Sequence, residues 1–357
     1  MVLDLTASSV DLTRAICDVP SVSGDERVLA DLIEQALAAY PHLEVIRHGN
    51  TVAARTNLGR AQRVVIAGHI DTVPINGNVP TADVEIDGAA YLWGRGTVDM
   101  KAGVAVQLKL AAELTAPVVD ITWMWYDNEE VEASKNGLGL LAAVRPDLFA
   151  ADFAILGEPS NGEVEGGCNG TMRAIVRTTG VRAHSARAWV GENAIHRAAP
   201  ILARLAEYRA REVPVEGLLY RESLSAVRIT GGVAGNVIPD ACEVEVNYRF
   251  APSKSAADAE AHIRSVLAGF DIEITDAAEG ARPGLDAPIA QQFVAAVGAE
   301  PRPKYGWTDV ARFSALGIPA VNYGPGDPHL AHHDEERVPL AQIDAVERGL
   351  RAWLSSR

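Results

Sequence analysis

Residues 63–74 read RVVIAGHIDTVP. The run is short, apolar and β-branched, and it stops at a histidine and an aspartate. Such a run reads as a buried strand. Polar residues just beyond a strand's carboxyl end stand where open α/β sheets bind ligands. DITWMWY (120–126) and DFAILG (152–157) have the same character, with a helix expected between them around 137–145. AGVAVQLKLAAELTA (102–116) is rich in Ala and Leu and predicts a helix that ends before Pro117. Upstream, residues 8–18 and 24–39 carry apolar residues at helical spacing. Ser23 or Asp25 is the expected N-cap of the second helix, with Glu26 in its first turn. This alternation predicts an α/β layered domain with a largely parallel sheet.

The pattern changes after residue 170. MRAIVRTTG (172–180) reads as a strand, residues 193–212 as one long helix, and LSAVRITGG (224–232) and CEVEVNYRFAP (242–252) as two strands. DAEAHIRSVLAG (258–269) follows as a helix and DIEITDA (271–277) as a strand. The order βαββαβ is ferredoxin-like. From about 285 the α/β pattern returns, with helices at 287–298 and 308–316, a strand at 319–324 and a helix from 340. The expected organisation is a discontinuous α/β domain, 1–170 and 285–357, with an α+β domain, 171–284, inserted. PRPKYG (301–306) reads as a loop.

The 357 residues include 32 Lys+Arg and 47 Asp+Glu, a net charge of −15 with His neutral. So acidic a chain repels phosphate backbones and anionic lipid, which argues against nucleic-acid and membrane-surface partners. No apolar run approaches the ~18 residues of a membrane span. Cys17, Cys168 and Cys242 are scattered, with no CxxC. Without a disulfide framework or a secretory signal at the start, the expected location is the reducing cytoplasm.

Five polar clusters lie at or just beyond predicted strands and loops: GHIDTVP (68–74), GRGTVDMKAG (94–103), DNEEVE (127–132), LGEPS (156–160) and AHHDEE (331–336). They supply His69, Asp99, Glu129, Glu130, Glu158 and His332. Mixed imidazole and carboxylate donors suit Zn²⁺ and related divalent cations. So many carboxylates together would repel one another unless cations were bound. Two ions sharing a bridging carboxylate would activate one water between them. Taken singly, each cluster has an ordinary reading. His69 could be a satisfied core histidine, Glu129 and Glu130 a solvated pair, Asp99 a helix cap, and His329, His332 and His333 a surface tract. GRG does not fit the dinucleotide fingerprint, since no strand–GxGxxG–helix unit surrounds it. Five clusters in this order at strand ends read as one site.

GHIDTVP, WGRGTVDMKAG, NEEVE, LGEPS and GPGDPHLAHHDEE resemble the motifs of the di-zinc aminoacylase/carboxypeptidase-type amidohydrolases. The resemblance spans essentially the whole chain. It implies a mixed-sheet α/β catalytic domain with an inserted ferredoxin-like α+β dimerisation (lid) domain. It also implies two Zn²⁺ per subunit, with Co²⁺ left open at one site. By this likeness His69 and His332 each bind one metal, Asp99 bridges, and Glu130 and Glu158 complete the two sets, Glu158 on the His69 side. Glu129 resembles the general base and Asp71 the partner that orients His69. His332 is favoured over His333 because the family runs AH-x-x-x-E, which His332 and Glu336 fit. The Asp99–Met100 peptide is often cis in the family.

Within the family, GVRAHSA (180–186), GNVIPD (235–240), NYRF (247–250), GWTDVARF (306–313) and GPGDP look like a desuccinylating branch. That likeness implies hydrolysis of a small N-acyl amino acid by a homodimer joined through the inserted domain. His184 would reach the partner subunit's site, Arg249 would hold a substrate carboxylate, and Asn236 and Thr308 would lie near the substrate. Acetylornithine deacetylases, aminoacylases and dipeptidase-like carboxypeptidases share the metal ligands and are not separated by them. One departure stands out. Some desuccinylases carry an Arg-rich GRRG segment where this chain reads GGCNGTM (166–172). Cys168 and Asn169 cannot replace a guanidinium, which leaves another basic residue, such as Arg182 or Arg187, to contact the succinyl carboxylate.

Overall fold

The structure, a computed structural model, describes residues 2–355. The chain divides into two units. The first comprises the chain up to Gly166, Gly284–Arg302, and the chain from Arg312 onward. The second comprises Gly167–Pro283 with Pro303–Ala311. Residues 303–311, expected with the first unit, thus belong to the second. Their ties are specific: Asn169 N–H donates to the Lys304 carbonyl at 3.1 Å, and Trp307 Nε1–H to the Glu279 carbonyl at 3.1 Å. Bonds between segments so far apart leave no periodic trace in a sequence.

The first unit holds an eight-stranded sheet. Its order is Glu44–His48, Thr51–Arg55, Asp120–Tyr126, Arg63–His69, Phe153–Leu156, Ala320–Asn322, Glu165–Gly166 and Arg302–Pro303. Asp120–Tyr126, Arg63–His69, Phe153–Leu156 and Ala320–Asn322 pair in parallel, whereas the Glu44–Arg55 hairpin and Glu165–Gly166 join antiparallel. The sheet is therefore mixed, with the predicted parallel strands at its centre. Strands covered on both faces need no alternation, and every residue of Asp120–Tyr126 is buried. A separate three-stranded sheet, Arg337–Pro339, Ala89–Trp93 and Ala82–Ile86, escapes the sequence reading. Its strands are short and partly exposed.

The predicted 102–116 helix runs Lys101–Glu113 and is buried almost throughout, which explains why its apolar residues show no stripe. The 24–39 helix runs Arg27–Leu37. Its N-cap is Glu26, with no side-chain capping bond, rather than Ser23 or Asp25. Ser23 has another task, described below.

The second unit is a four-stranded antiparallel sheet ordered Ser223–Gly231, Ala241–Phe250, Gly170–Thr179, Asp271–Ala278. Met172, Ala174 and Val176 join Val244, Val246, Tyr248 and Phe250 in its core, against Ile201, Leu205, Ala259 and Ile263 of its helices. The alternate residues face outward, as a period of two requires. The 193–212 helix is broken: it runs as Ala194–Arg197 and Ala199–Glu207, and Glu212–Val215 turns into a hairpin with Leu218–Arg221. Pro200, which has no N–H to give, sits in the first turn of the second piece.

Gly103 decides how close the buried helix lies to the sheet. A Cβ on Gly103 would stand 2.3 Å from the Gly157 carbonyl oxygen, in the residue before Glu158. Helix propensity alone makes Gly103→Ala stabilising by up to ~1 kcal/mol. The contact reverses the sign, and the variant should lose about 1–3 kcal/mol. Thermal unfolding of the metal-free protein measures it, and a raised melting temperature would contradict this packing.

Candidate metal centre

Three segments at the ends of central strands, the turn before the Lys101–Glu113 helix and a loop before the C-terminal helix converge. His69 ends its strand, Glu129 and Glu130 follow Asp120–Tyr126, and Glu158 follows Phe153–Leu156. Asp99 immediately precedes Met100, the N-cap of the Lys101–Glu113 helix, and makes no capping bond to it. The Asp99–Met100 peptide is cis. His332 lies beyond the Pro328–Leu330 turn with φ of +65°.

His69 Nε2 lies 3.1 Å from Asp99 Oδ1 and 4.0 Å from Glu158 Oε1. His332 Nε2 lies 3.2 Å from Asp99 Oδ2 and 2.8 Å from Glu130 Oε1. Two compact ligand groups result, His69–Asp99–Glu158 and Asp99–Glu130–His332, and they have Asp99 in common. A third, His69–Glu129–Glu130, overlaps them. In each group the donor atoms lie within 4.8 Å of one another. One imidazole and two carboxylates per group, with one carboxylate offering an oxygen to each, fit two divalent cations.

Three further carboxylates hold this arrangement by accepting backbone N–H groups. Fully buried Asp71 accepts from Glu129 N–H at 3.0 Å and Glu130 N–H at 3.1 Å, and the Ser23 hydroxyl donates to it at 2.7 Å. The His69 ring is held at Nδ1 by the Asp71 backbone carbonyl at 3.0 Å, closer than the carboxylate at 3.5 Å. A proton on Nδ1 leaves Nε2 as the ligand atom. Buried Glu26 accepts from Gly24 N–H at 2.7 Å and Asn128 N–H at 3.3 Å. Three consecutive N–H groups, of residues 128–130, thus point at two carboxylates. Buried Glu336 accepts from Val98 N–H at 2.8 Å and Asp99 N–H at 3.0 Å, and Arg95 donates to it at 2.8 Å. Glu26 and Ser23 were legible only as helix-start residues, and Arg95 only as part of a glycine-rich turn.

Of the other candidates, all in the second unit, His184 pairs with Val237 in a small sheet. Its Nδ1 accepts from Ala186 N–H at 3.0 Å. The Asn236 carbonyl accepts from Ser185 N–H at 2.8 Å. Arg249 is half-buried, with Nε donating to Asn247 Oδ1 at 3.1 Å. Thr308 is buried, and its carbonyl faces the Cys168 thiol at 3.7 Å.

The electrostatics of the centre follow from its crowding. Burial disfavours a charged His69, but Asp71, Asp99 and Glu158 outweigh it and raise its pKa well above the usual value. Hydrogen bonds to Asp99 and Glu130 raise His332 to about 10. Burial alone would raise Asp99, yet the two imidazoles hold it far below the carboxylate range. Protonated imidazoles therefore supply the positive charge in the metal-free protein, and metal uptake must displace their Nε2 protons. Affinity for Zn²⁺ should strengthen as pH rises from 6 to 8, by about tenfold per unit for each proton released. Calorimetry in buffers of different ionisation heats reads the proton count, and a pH-independent affinity would contradict this assignment. In the metal-free protein the sign is opposite. The support that protonated His332 gives the fold is full below 6.5 and is lost as pH rises through about 10.

No helix among the described residues is long and apolar enough to cross a membrane. Residues 65–356 match peptidase family M20/M25/M40. "Putative succinyl-diaminopimelate desuccinylase DapE" of Mycobacterium tuberculosis is 54% identical over 355 residues, covering 99% of each chain. "Succinyl-diaminopimelate desuccinylase" of Corynebacterium glutamicum is 47% identical over 364 aligned residues, covering 99% of this chain and 98% of its own. A solved tripeptidase of Staphylococcus aureus shares the fold with a TM-score of 0.78 at 18% identity, over 99% of this chain and 98% of that one. With this match over most of its length, the chain belongs to peptidase family M20/M25/M40 and is a metal-dependent hydrolase.

Proposed function

We propose that the protein hydrolyses N-succinyl-LL-2,6-diaminopimelate to succinate and LL-2,6-diaminopimelate, with two Zn²⁺ per subunit and Co²⁺ accepted at one site. The observation that carries this reading is the near-full-length similarity to two proteins bearing the desuccinylase name, joined to two ligand groups with a common aspartate. His69, Asp99 and Glu158 hold one cation, and Asp99, Glu130 and His332 the other. When bound, the cations acidify a water and polarise the scissile carbonyl. Glu129 takes the proton from the attacking water and delivers it to the leaving amine nitrogen. Asp71 fixes the backbone of Glu129 and the ring of His69, so that the base and a ligand keep one geometry. Arg249 holds a substrate carboxylate, for which a planar guanidinium is suited. Asn236 and Thr308 contribute polar contacts to the substrate.

The working unit in this reading is a homodimer joined through the second unit. Ser223–Gly231 is an edge strand, and its Val227 and Ile229 are exposed, as is Val233 just beyond it. Exposed apolar edges invite pairing with another chain. His184 keeps its proton on Nε2, because Nδ1 is an acceptor. In the partner's site that proton is a donor to the oxyanion. Three cysteines, all buried and unbridged, accord with the reducing cytoplasm as the place of action.

Assaying N-succinyl-diaminopimelate and N-acetylornithine side by side with zinc tests the substrate. Faster turnover of the acetyl compound would overturn the reading. Glu129→Gln should keep its metal but lose 10²–10⁴-fold in kcat, because an amide cannot accept the water's proton. Near-normal kcat in that variant would remove Glu129 from the role. Mixing inactive Glu129→Gln with inactive His184→Ala tests the dimer. One site of the mixed dimer keeps its own Glu129 and receives an intact His184, so activity should return on subunit exchange. Exchange without recovered activity would place His184 outside the partner's site.

A further inference from the structure

The outward face of the second unit's sheet carries its arginines in two different states. At one end Arg177 bonds Glu243 at 2.8 Å and Glu273 at 2.6 Å, and Arg228 lies 3.5 Å from Glu245. At the other end stand Arg173 and Arg249. Residue 173 is in register with Asn247, and residue 171 with Arg249, so the two arginines are diagonal neighbours on adjacent strands. Side chains so placed lie within reach of one another. Neither has a carboxylate within 4.0 Å among the described residues, although Asp276 is in register with Arg173. The Arg249 guanidinium is fixed on one edge. Its Nε donates to Asn247 Oδ1 at 3.1 Å, and Asn247 Nδ2 donates to Thr171 Oγ1 at 3.2 Å. That chain of bonds leaves both terminal nitrogens of Arg249 for something else. Burial and the charge of Arg173 lower the Arg249 pKa, outweighing the opposing charge of Asp276.

The segment that stands where some desuccinylases carry an Arg-rich stretch is closed to this task. Cys168 is fully buried with its thiol on the Thr308 carbonyl, and Asn169 is buried with Nδ2 donating to the Arg221 carbonyl at 2.8 Å. Arg182 is already ion-paired to Asp240 at 2.9 Å.

We infer that Arg173, together with Arg249, forms a carboxylate seat, and that Arg173 sets the preference for substrates whose acyl group ends in a carboxylate. The identity of that acyl group as succinyl rests on the proposed function. Two guanidiniums held side by side by the sheet, neither in an ion pair among the described residues, gain a direct carboxylate partner when an anionic ligand arrives. A neutral acyl group, such as acetyl, leaves the seat empty and gains nothing from it.

The test compares kcat/KM for N-succinyl and N-acetyl substrates of the same amine in wild type, Arg173→Met, Arg182→Met and Arg187→Met. Arg173→Met should lose about 10- to 100-fold on the succinyl substrate and keep its rate on the acetyl one. Arg182→Met and Arg187→Met should leave the ratio unchanged. Equal loss on both substrates, no loss, or a ratio moved by Arg182→Met or Arg187→Met would each overturn the inference. A wild type inactive on the succinyl substrate would instead sink the proposed function. The seat is judged independently by titrating the metal-free chain with succinate while following the arginine Nε–H signals by NMR. Signals of Arg173 and Arg249 should shift together in wild type, and the Arg249 shift should vanish in Arg173→Met. An Arg249 shift that survives that substitution, or no shift in wild type, would refute the seat.

Discussion

Negative charge packed at the ends of the central parallel strands is the constraint that the rest of the first unit answers. Asp99, Glu130 and Glu158 share a few ångströms with two imidazoles. Unscreened carboxylates at such spacing disfavour folding unless positive charge is present. Protons on His69 and His332 provide it in one state and divalent cations in the other. The surrounding chain ties down the segments that carry the ligands. Asp71, Glu26 and Glu336 each accept N–H groups from the segments that carry the ligands. A carboxylate accepting backbone N–H groups makes stronger bonds than a neutral acceptor, so the ligand-bearing segments are firmly held.

Close backbone approach supplies the rest of that rigidity. A Cβ on Gly324 would stand 2.1 Å from the Gly157 carbonyl oxygen, as one on Gly103 would stand 2.3 Å from it. The peptide before Glu158 is therefore clasped between a helix and a neighbouring strand end. Interiors packed this way transmit displacement instead of absorbing it, and Glu158 inherits the precision of the core beneath it.

Much of this was legible in the sequence, and for a physical reason. Central parallel strands are buried on both faces, so RVVIAGH and ITWMWY stand out as apolar runs, and the chemistry sits where those runs stop. The βαββαβ order of the second unit was legible because one covered face imposes a period of two. What stayed hidden depends on pairings between distant segments. Glu26 looks like an ordinary first-turn acid until Asn128 N–H is found on it. The 303–311 segment reads as part of the first unit until Asn169 is found bonded to Lys304. Arg173 looks like any charged residue on an alternating strand. Only the partners of Arg177 and Arg228 show by contrast that it lacks one.

The place of Glu336 in the chain has a consequence for biosynthesis. The carboxylates of residues 71, 99, 129, 130 and 158 leave the ribosome long before the segment that carries His332 and Glu336. Until that segment arrives, the N–H groups of Val98 and Asp99 lack the acceptor that orders them. Asp99, the residue common to both ligand groups, is thus among the last parts of the centre to be fixed. The nascent chain holds an acidic cluster without its final geometry until the Glu336 segment has been made.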